Sequence, residues 1–225
     1  MKVGRHGKGS AQTRKYNAPA RTAAAQRTQA AILAAAKRVF EERGWAGATV
    51  RLIAQEAGVS QKTVEALHGT KGRLLAETVT YAIRGDVESV EMLQRPHILE
   101  MESVRSAAEM LDLHAAHLRR VNERSAAIAF VVEQAAPAEP DVRALWRRMN
   151  HNRLVGVRWA ARTLLAKPGM AQVAAEEIEP VFLIAFDWGT YRLLTEVAGL
   201  SADEYQAWLR SYYGKMLLAA GRSPE

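Results

Sequence analysis

Residues 49–68 read TVRLIAQEAGVSQKTVEALH. Two short helical segments flank the turn Ala57-Gly58-Val59-Ser60. Thr49 is placed to cap the first segment, which carries Leu52, Ile53 and Ala57 inward. Gly58 supplies the backbone freedom that a sharp helix–helix turn needs. Val59 can plug the crease between the helices, and Ser60 can cap the second, which runs to about His68. This is helix-turn-helix grammar, in which the second helix enters a DNA major groove. Many helical hairpins share such a turn, so the surrounding charge bears on its meaning.

That charge is uneven. The chain has 225 residues and a formal net charge of +7. Residues 1–75 hold 14 Lys+Arg and 4 Asp+Glu, a net of +10, whereas residues 76–225 hold 17 and 20, a net of −3. Such asymmetry points to a polyanionic partner for the first third and a different task for the rest. Six of the fourteen cations lie in residues 1–21, where no acid and no apolar periodicity occur. We expect a disordered basic arm there. With 48% hydrophobic and 24% charged residues the composition is that of a globular protein. The absence of cysteine excludes a disulfide framework, zinc fingers and thiol chemistry. No apolar run is long enough for a membrane span, and none stands after the basic N-terminus as a signal peptide, so the expected setting is the cytoplasm.

Outward from the turn, the pattern is helical everywhere. Ile32, Leu33, Ala36, Val39 and Phe40 recur at helical spacing over about 23–43, with Gly44 as a stop. Gly69 and Thr70 break the chain before a long amphipathic helix from Lys71, with a stripe of Leu75, Val79, Ile83, Val87 and Val90. Beyond Pro96 we expect helices at about 102–121, 124–135, 141–166 and 172–198, the last interrupted at Pro180. Ser201 and Glu204 form a capping box for a final helix at about 202–219. The run Val181–Phe186 has strand-like composition, but Trp188, Tyr191, Leu194 and Val197 continue at helical spacing. The class is all-α.

Residues 27–75 resemble the N-terminal domain of the tetracycline-repressor (TetR/AcrR) family of transcriptional regulators. Ile32, Phe40 and Gly44 fit its first helix. Thr49, Ile53, Ala54, Ala57, Gly58, Val59 and Ser60 fit its helix-turn-helix, and Thr63, Lys71 and Leu74-Leu75 fit the segment beyond the turn. Two positions depart from the pattern: Glu65 stands where an aromatic, usually Tyr, is common, and His68 where Phe is common. A carboxylate at 65 repels phosphate but can accept from a cytosine amino group. The resemblance implies a disordered arm at 1–21, a DNA-binding domain at 22–75 and a helical effector-binding and dimerisation domain at 76–225. It implies DNA contacts from Thr49, Arg51, Ser60, Gln61, Lys62, Thr63 and Lys71, with Lys71 on phosphate. The implied function is a ligand-responsive repressor, a homodimer released from a palindromic operator by a small-molecule effector, without cofactor or catalysis.

The two last helical stretches are apolar on more than one face, which demands packing on two sides. Phe182, Phe186, Tyr205, Trp208, Leu209, Tyr212 and Met216 are the expected dimer residues. Met110, His114, Phe130, Trp146, Met149, Arg153 and Trp188 are candidate liners of an effector pocket. His114 and His117 share a helix face, but no third ligand is fixed by sequence, so no metal is expected. The same pair is the only hint of an all-α enzyme. Glu65 alone motivates a third reading, a protein-binding module without DNA affinity.

Overall fold

In the computed structural model, the structure describes residues 18–170 and 172–218, so the arm expected at 1–21 lies almost wholly outside the described residues. Among the described residues all regular structure is helical. Helix α1 spans Ala18–Gly47, α2 Val50–Glu56, α3 Gln61–His68 and α4 Lys71–Arg84. A 3₁₀ turn at Met92–Gln94 leads into α5, Pro96–Ser103, and then α6, Ala107–Ala135. Helix α7 spans Pro140–Leu165, α8 Ala175–Ala185, α9 Trp188–Arg192 and α10 Ala202–Tyr213. Helices α9 and α10 each pass into a π-helical turn, Leu193–Val197 and Gly214–Leu218.

The caps at Thr49 and Ser60 act where the sequence places them, but α1 begins at Ala18, inside the stretch expected to be disordered, and continues past Gly44 to Gly47. Thr49 Oγ1 accepts from Leu52 N at 3.1 Å. Ser60 Oγ accepts from Thr63 N at 3.0 Å. Gly58 takes φ +67 between them, and α1 bends at Gly44, where φ is +63.

Later elements differ from the expectation in three ways. Helix α4 stops at Arg84, where Gly85 adopts a left-handed cap, so Val87 and Val90 fall outside the helix. The helices expected at 102–121 and 124–135 are one, α6. The polar residues that suggest a gap do not break it, because Asn122 gives its side-chain amide to the Tyr205 hydroxyl at 3.0 Å. Pro180 lies inside α8, and the break falls instead after Phe186, where Asp187 Oδ2 accepts from Thr190 N at 2.8 Å and starts α9. A side-chain cap restarts the helix there, beyond the proline.

Two apolar cores result. The first joins α1–α4 through Ile32, Phe40, Ile53, Val64, Leu74 and Leu75, and runs on without interruption into Ile128 and Val132 of α6 and Val142, Leu145 and Met149 of α7. The second packs α5, the N-terminal half of α6, the C-terminal half of α7, α8 and α10 around Met110, Leu118, Phe182, Tyr205 and Tyr213. Long α6 and α7 thus serve both cores, and α4 lies where the first core meets them.

Gly58 has open space around it, so a substitution there is penalised by backbone conformation alone. Gly58→Ala should lower the midpoint of urea unfolding by an amount equivalent to about 1–2 kcal/mol, with unchanged m-value. An unshifted midpoint would show that the turn tolerates an ordinary side chain.

Candidate nucleic-acid interface and adjoining cavity

Helix α3 turns Val64 and His68 into the core and leaves Gln61, Lys62 and Glu65 exposed. Arg51 is exposed near the start of α2, close in sequence to the capping Thr49. Ser60 and Thr63 share a hydroxyl–hydroxyl hydrogen bond of 2.8 Å in addition to the cap. The residues expected to meet DNA at 49–63 therefore lie along the N-terminal parts of α2 and α3.

The two departures behave differently. Glu65 is exposed and accepts from Gln61 Nε2 at 2.7 Å, so the carboxylate is tied to a neighbour on its own helix. His68 is buried, and its Nδ1 lies 2.5 Å from Glu77 Oε2 on α4. The second oxygen of Glu77 accepts from Arg73 Nε at 2.8 Å. The imidazole at a core position is thus met by a partner on the next helix, which the sequence does not announce.

Lys71 is turned inward rather than simply outward. Its ammonium donates to the Trp45 carbonyl and lies 4.2 Å above the Trp45 ring. Burial lowers its pKa from the ordinary lysine value, opposed by Glu139. Lys71 thereby ties the start of α4 to the end of α1.

Behind this unit lies a cavity of about 670 Å³ between α4, the 3₁₀ turn, α6, α7 and the α8–α9 corner. Val79, Thr80, Ile83 and Arg84 of α4 form one wall. Of the liners expected from sequence, Met149, Arg153 and Trp188 lie on the wall. The other four do not. Met110 and His114 are sealed in the second core, His114 sharing a 2.8 Å hydrogen bond with the Tyr213 hydroxyl. Phe130 carries the Arg192 guanidinium 3.6 Å above its ring. Trp146 packs against the first core. The wall also takes in residues of α4, with Met92, His117 and Asn122. Sequence reasoning misses these as liners, since helical spacing reports apolar faces but not the space left between them.

The aromatic stretch of the last helices also sorts differently. Phe182, Tyr205 and Leu209 are completely buried within the chain, so they cannot present a face to a partner. Their burial comes from one side of α8 and α10 closing the second core. Phe186 lines the cavity. Trp208 and Tyr212 are half-buried and stacked on each other at 5.2 Å, and Met216 is exposed. The exposed apolar residues of this region are Leu183, Ile184, Leu193, Val197 and Met216.

Residues 32–78 match the family model for bacterial regulatory proteins of the tetR family. Residues 32–78 thus form a domain of the tetR regulatory family. No curated protein matches it. Its fold is shared by a protein described as a TetR-family regulator from Rhodococcus sp., at 18% identity and TM-score 0.63, over 84% of this chain and 98% of that one. A regulator from Pseudomonas aeruginosa PAO1 matches at 16% identity and TM-score 0.62, over 86% and 92%. One from Saccharomonospora viridis, solved in complex with choline, matches at 19% identity and TM-score 0.58, over 85% and 96%. Among the described residues no group of three or more His, Cys, Asp or Glu side chains is placed to hold a metal, and no helix is long and apolar enough to cross a membrane.

Two histidines behind the interface are held neutral. Burial lowers the His114 pKa to about 3. Burial also holds His117 well below its ordinary value, reinforced by His114, His97, Arg120 and Arg124. Both groups take up protons more readily when unfolded, so their stabilisation is present above about pH 6.5 and is lost as pH falls towards the folded values. The expected loss is about 1.4 kcal/mol per pH unit for each histidine below that point. Urea unfolding at pH 7.5 and 5.5 measures it, and His114→Gln should reduce the difference, the remainder coming from His117 and from His97, whose pKa burial also lowers. An identical difference in the variant would exclude His114 as a source.

Proposed function

We propose that this regulator is a ligand-responsive repressor: a homodimer that holds a palindromic operator and leaves it when a small molecule fills the cavity beside α4. The observation that carries this reading is that one helix serves both places. Helix α4 begins at Lys71, just beyond α3, and its Val79, Thr80, Ile83 and Arg84 form a cavity wall. Its C-terminal carbonyls, Ala82 and Ile83, accept from the Arg124 guanidinium of α6 at 3.0 and 2.9 Å. A ligand that prefers a displaced α4 shifts the helix-turn-helix with it, and a differential affinity of about 1–3 kcal/mol between the two states suffices for regulation.

On DNA, Thr49, Ser60 and Thr63 serve as backbone-positioning hydroxyls and amide caps. Arg51 and Lys62 contact phosphate, and Gln61 reads base edges. Lys71 retains two further N–H donors for phosphate beside the one given to Trp45. Two such units on one dimer fall about one helical turn of DNA apart. Dimerisation uses the outer face of α8, through Leu183 and Ile184, and Met216 in the turn that follows α10, with Trp208 and Tyr212 at the margin. An exposed apolar set of this kind on one side of a helical layer marks an interaction surface. The regulator acts in the cytoplasm, where its operator lies. The solved relative that holds choline supports small-molecule binding by this fold.

A gel-shift assay with DNA from upstream of its own gene tests the reading. A discrete complex with sequence preference is expected, and the absence of any preference at low salt would overturn it. Lys62→Ala should weaken binding to all sequences and reduce the slope of log K against log salt by about one, with stability unchanged. Lys71→Ala should reduce the slope similarly but also destabilise the chain, because the bond to Trp45 is lost. A salt slope untouched by Lys62→Ala would remove that residue from the interface.

A further inference from the structure

The cavity has a charged feature that an apolar pocket does not need. Arg153 projects from α7 and is about nine-tenths buried, its side chain 11% exposed. Its Nη1 donates to Asp187 Oδ1 at 3.1 Å, while Nε and Nη2 are buried with no acceptor among the described residues. Asp187 cannot supply the missing acceptors alone, because its other oxygen caps α9 by accepting from the Thr190 amide and hydroxyl. A buried guanidinium with one of its donor sides satisfied is costly unless a further anionic or carbonyl acceptor completes it.

The rim has the same sign. Among the described residues that line the cavity, Arg84, Arg148 and Arg153 are cationic and Glu91 is the one acid. Glu91 is largely exposed and 4.0 Å from Arg84, a stretched pair at the mouth. His117 on the wall is neutral, so it adds no countercharge. The remainder is mostly apolar, with Val79, Ile83, Leu145, Met149, Val155 and Phe186 among the liners. A volume near 670 Å³ falls in the range of roughly 300–1,000 Å³ usual for small-molecule sites.

The aromatic surface is already spoken for. The Arg153 guanidinium lies 4.5 Å from the Trp188 ring centre and 6.0 Å from that of Trp146. A quaternary ammonium ligand needs such ring faces for itself. Here the chain's own cation holds them, so a choline-like ligand meets both an occupied face and like charge.

Resting on the reading of this cavity as the effector site, we propose that the effector is an amphipathic carboxylate: an apolar body against α4 and α7, with its carboxylate on Arg153. The arrangement is geometrically economical, since a carboxylate accepts two parallel N–H bonds from a guanidinium edge. The ligand carboxylate takes the Nε–Nη2 edge while Asp187 keeps Nη1, and the repulsion between the two anions places the α8–α9 corner under the ligand's influence as well as α4.

The test uses the full chain and displacement of a neutral fluorescent dye, N-phenyl-1-naphthylamine, by three ten-carbon probes: decanoate, 1-decanol and decyltrimethylammonium. Decanoate should displace the dye at about tenfold lower concentration than decanol, the size of a charge-assisted hydrogen-bonded pair, and the ammonium probe should be weakest. Arg153→Gln should abolish the advantage of decanoate over decanol. Asp187→Asn, which keeps a capping side chain but removes the neighbouring negative charge, should move decanoate in the opposite direction, to tighter binding. The second variant keeps the test decisive if the first fails to fold. An ammonium probe that displaces as well as decanoate, or a decanoate advantage that survives Arg153→Gln, would overturn the carboxylate assignment while leaving the cavity as an effector site. Decanoate binding unchanged in Asp187→Asn also counts against it. Failure of the dye and all three probes to bind would remove the effector reading and the proposal together.

Discussion

Helix α4 is clamped at both ends, and the arrangement of the molecule depends on those clamps. At its start the Thr70 side chain accepts from Arg73 N, and Lys71 reaches back to the Trp45 carbonyl. At its end Gly85 closes the helix in a left-handed cap, while Arg124 satisfies two of the last carbonyls. A helix ends with four carbonyls that lack an intrahelical partner. Filling two of them with a guanidinium from α6 joins the helix end to the other half of the molecule by charge-assisted bonds. Between the clamps, Leu74, Leu75, Val79 and Ala82 bury themselves in the first core. On the proposed function, a helix held in this way is displaced as a unit. This is the mechanical condition for a cavity at one end to influence α3 at the other.

The recognition helix shows a chemical compromise. The region is cationic as a whole, yet the exposed carboxylate of Glu65 sits on α3 itself, and Gln61 donates to it. That bond leaves the Gln61 carbonyl oxygen and the second Glu65 oxygen as outward acceptors. An acceptor-rich face suits base edges that donate, the amino groups of cytosine and adenine, and suits phosphate poorly. On the proposed function, affinity comes from the flanking cations and selectivity from the helix, and the basic arm expected from sequence adds to the first and not to the second.

Legibility from sequence tracks locality. Thr49, Gly58 and Ser60 act within a few residues of themselves, so their roles are readable and the helix-turn-helix with them. The all-α class is readable for the same reason, since periodicity is local. Where tertiary partners decide, the reading diverges. The partner of Asn122, Tyr205, is 83 residues away, so nothing local to 121–124 shows that α6 runs through it. The apolar faces of α8 and α10 are correctly legible as two, but spacing does not tell which face meets its own chain. Phe182, Tyr205 and Leu209 turn inward, and Leu183 and Ile184 turn out. The cavity is legible as a region, yet only Met149, Arg153 and Trp188 of the expected liners reach its wall. A void is defined by several helices at once, and no single stripe encodes it.

The two histidines that hint at chemistry in the sequence illustrate the same point from the other side. His114 and His117 share a face of α6, as metal ligands would, but the structure uses them separately. His114 closes onto Tyr213 against Phe182 and Phe186, and His117 stacks on His97 at 4.9 Å. Burial holds both neutral, reinforced at His117 by nearby cations. A neutral ring on the wall leaves the arginines as the charges that a ligand meets. The overall charge asymmetry along the chain thus conceals a second, smaller one. The C-terminal two-thirds is net acidic, but the acids lie largely on its surface and the cations Arg84, Arg148 and Arg153 gather at its cavity. Solvent screens the exposed acids, whereas a guanidinium inside a low-dielectric pocket keeps its field. The charge at this cavity is therefore positive, opposite to the sign of the segment that contains it.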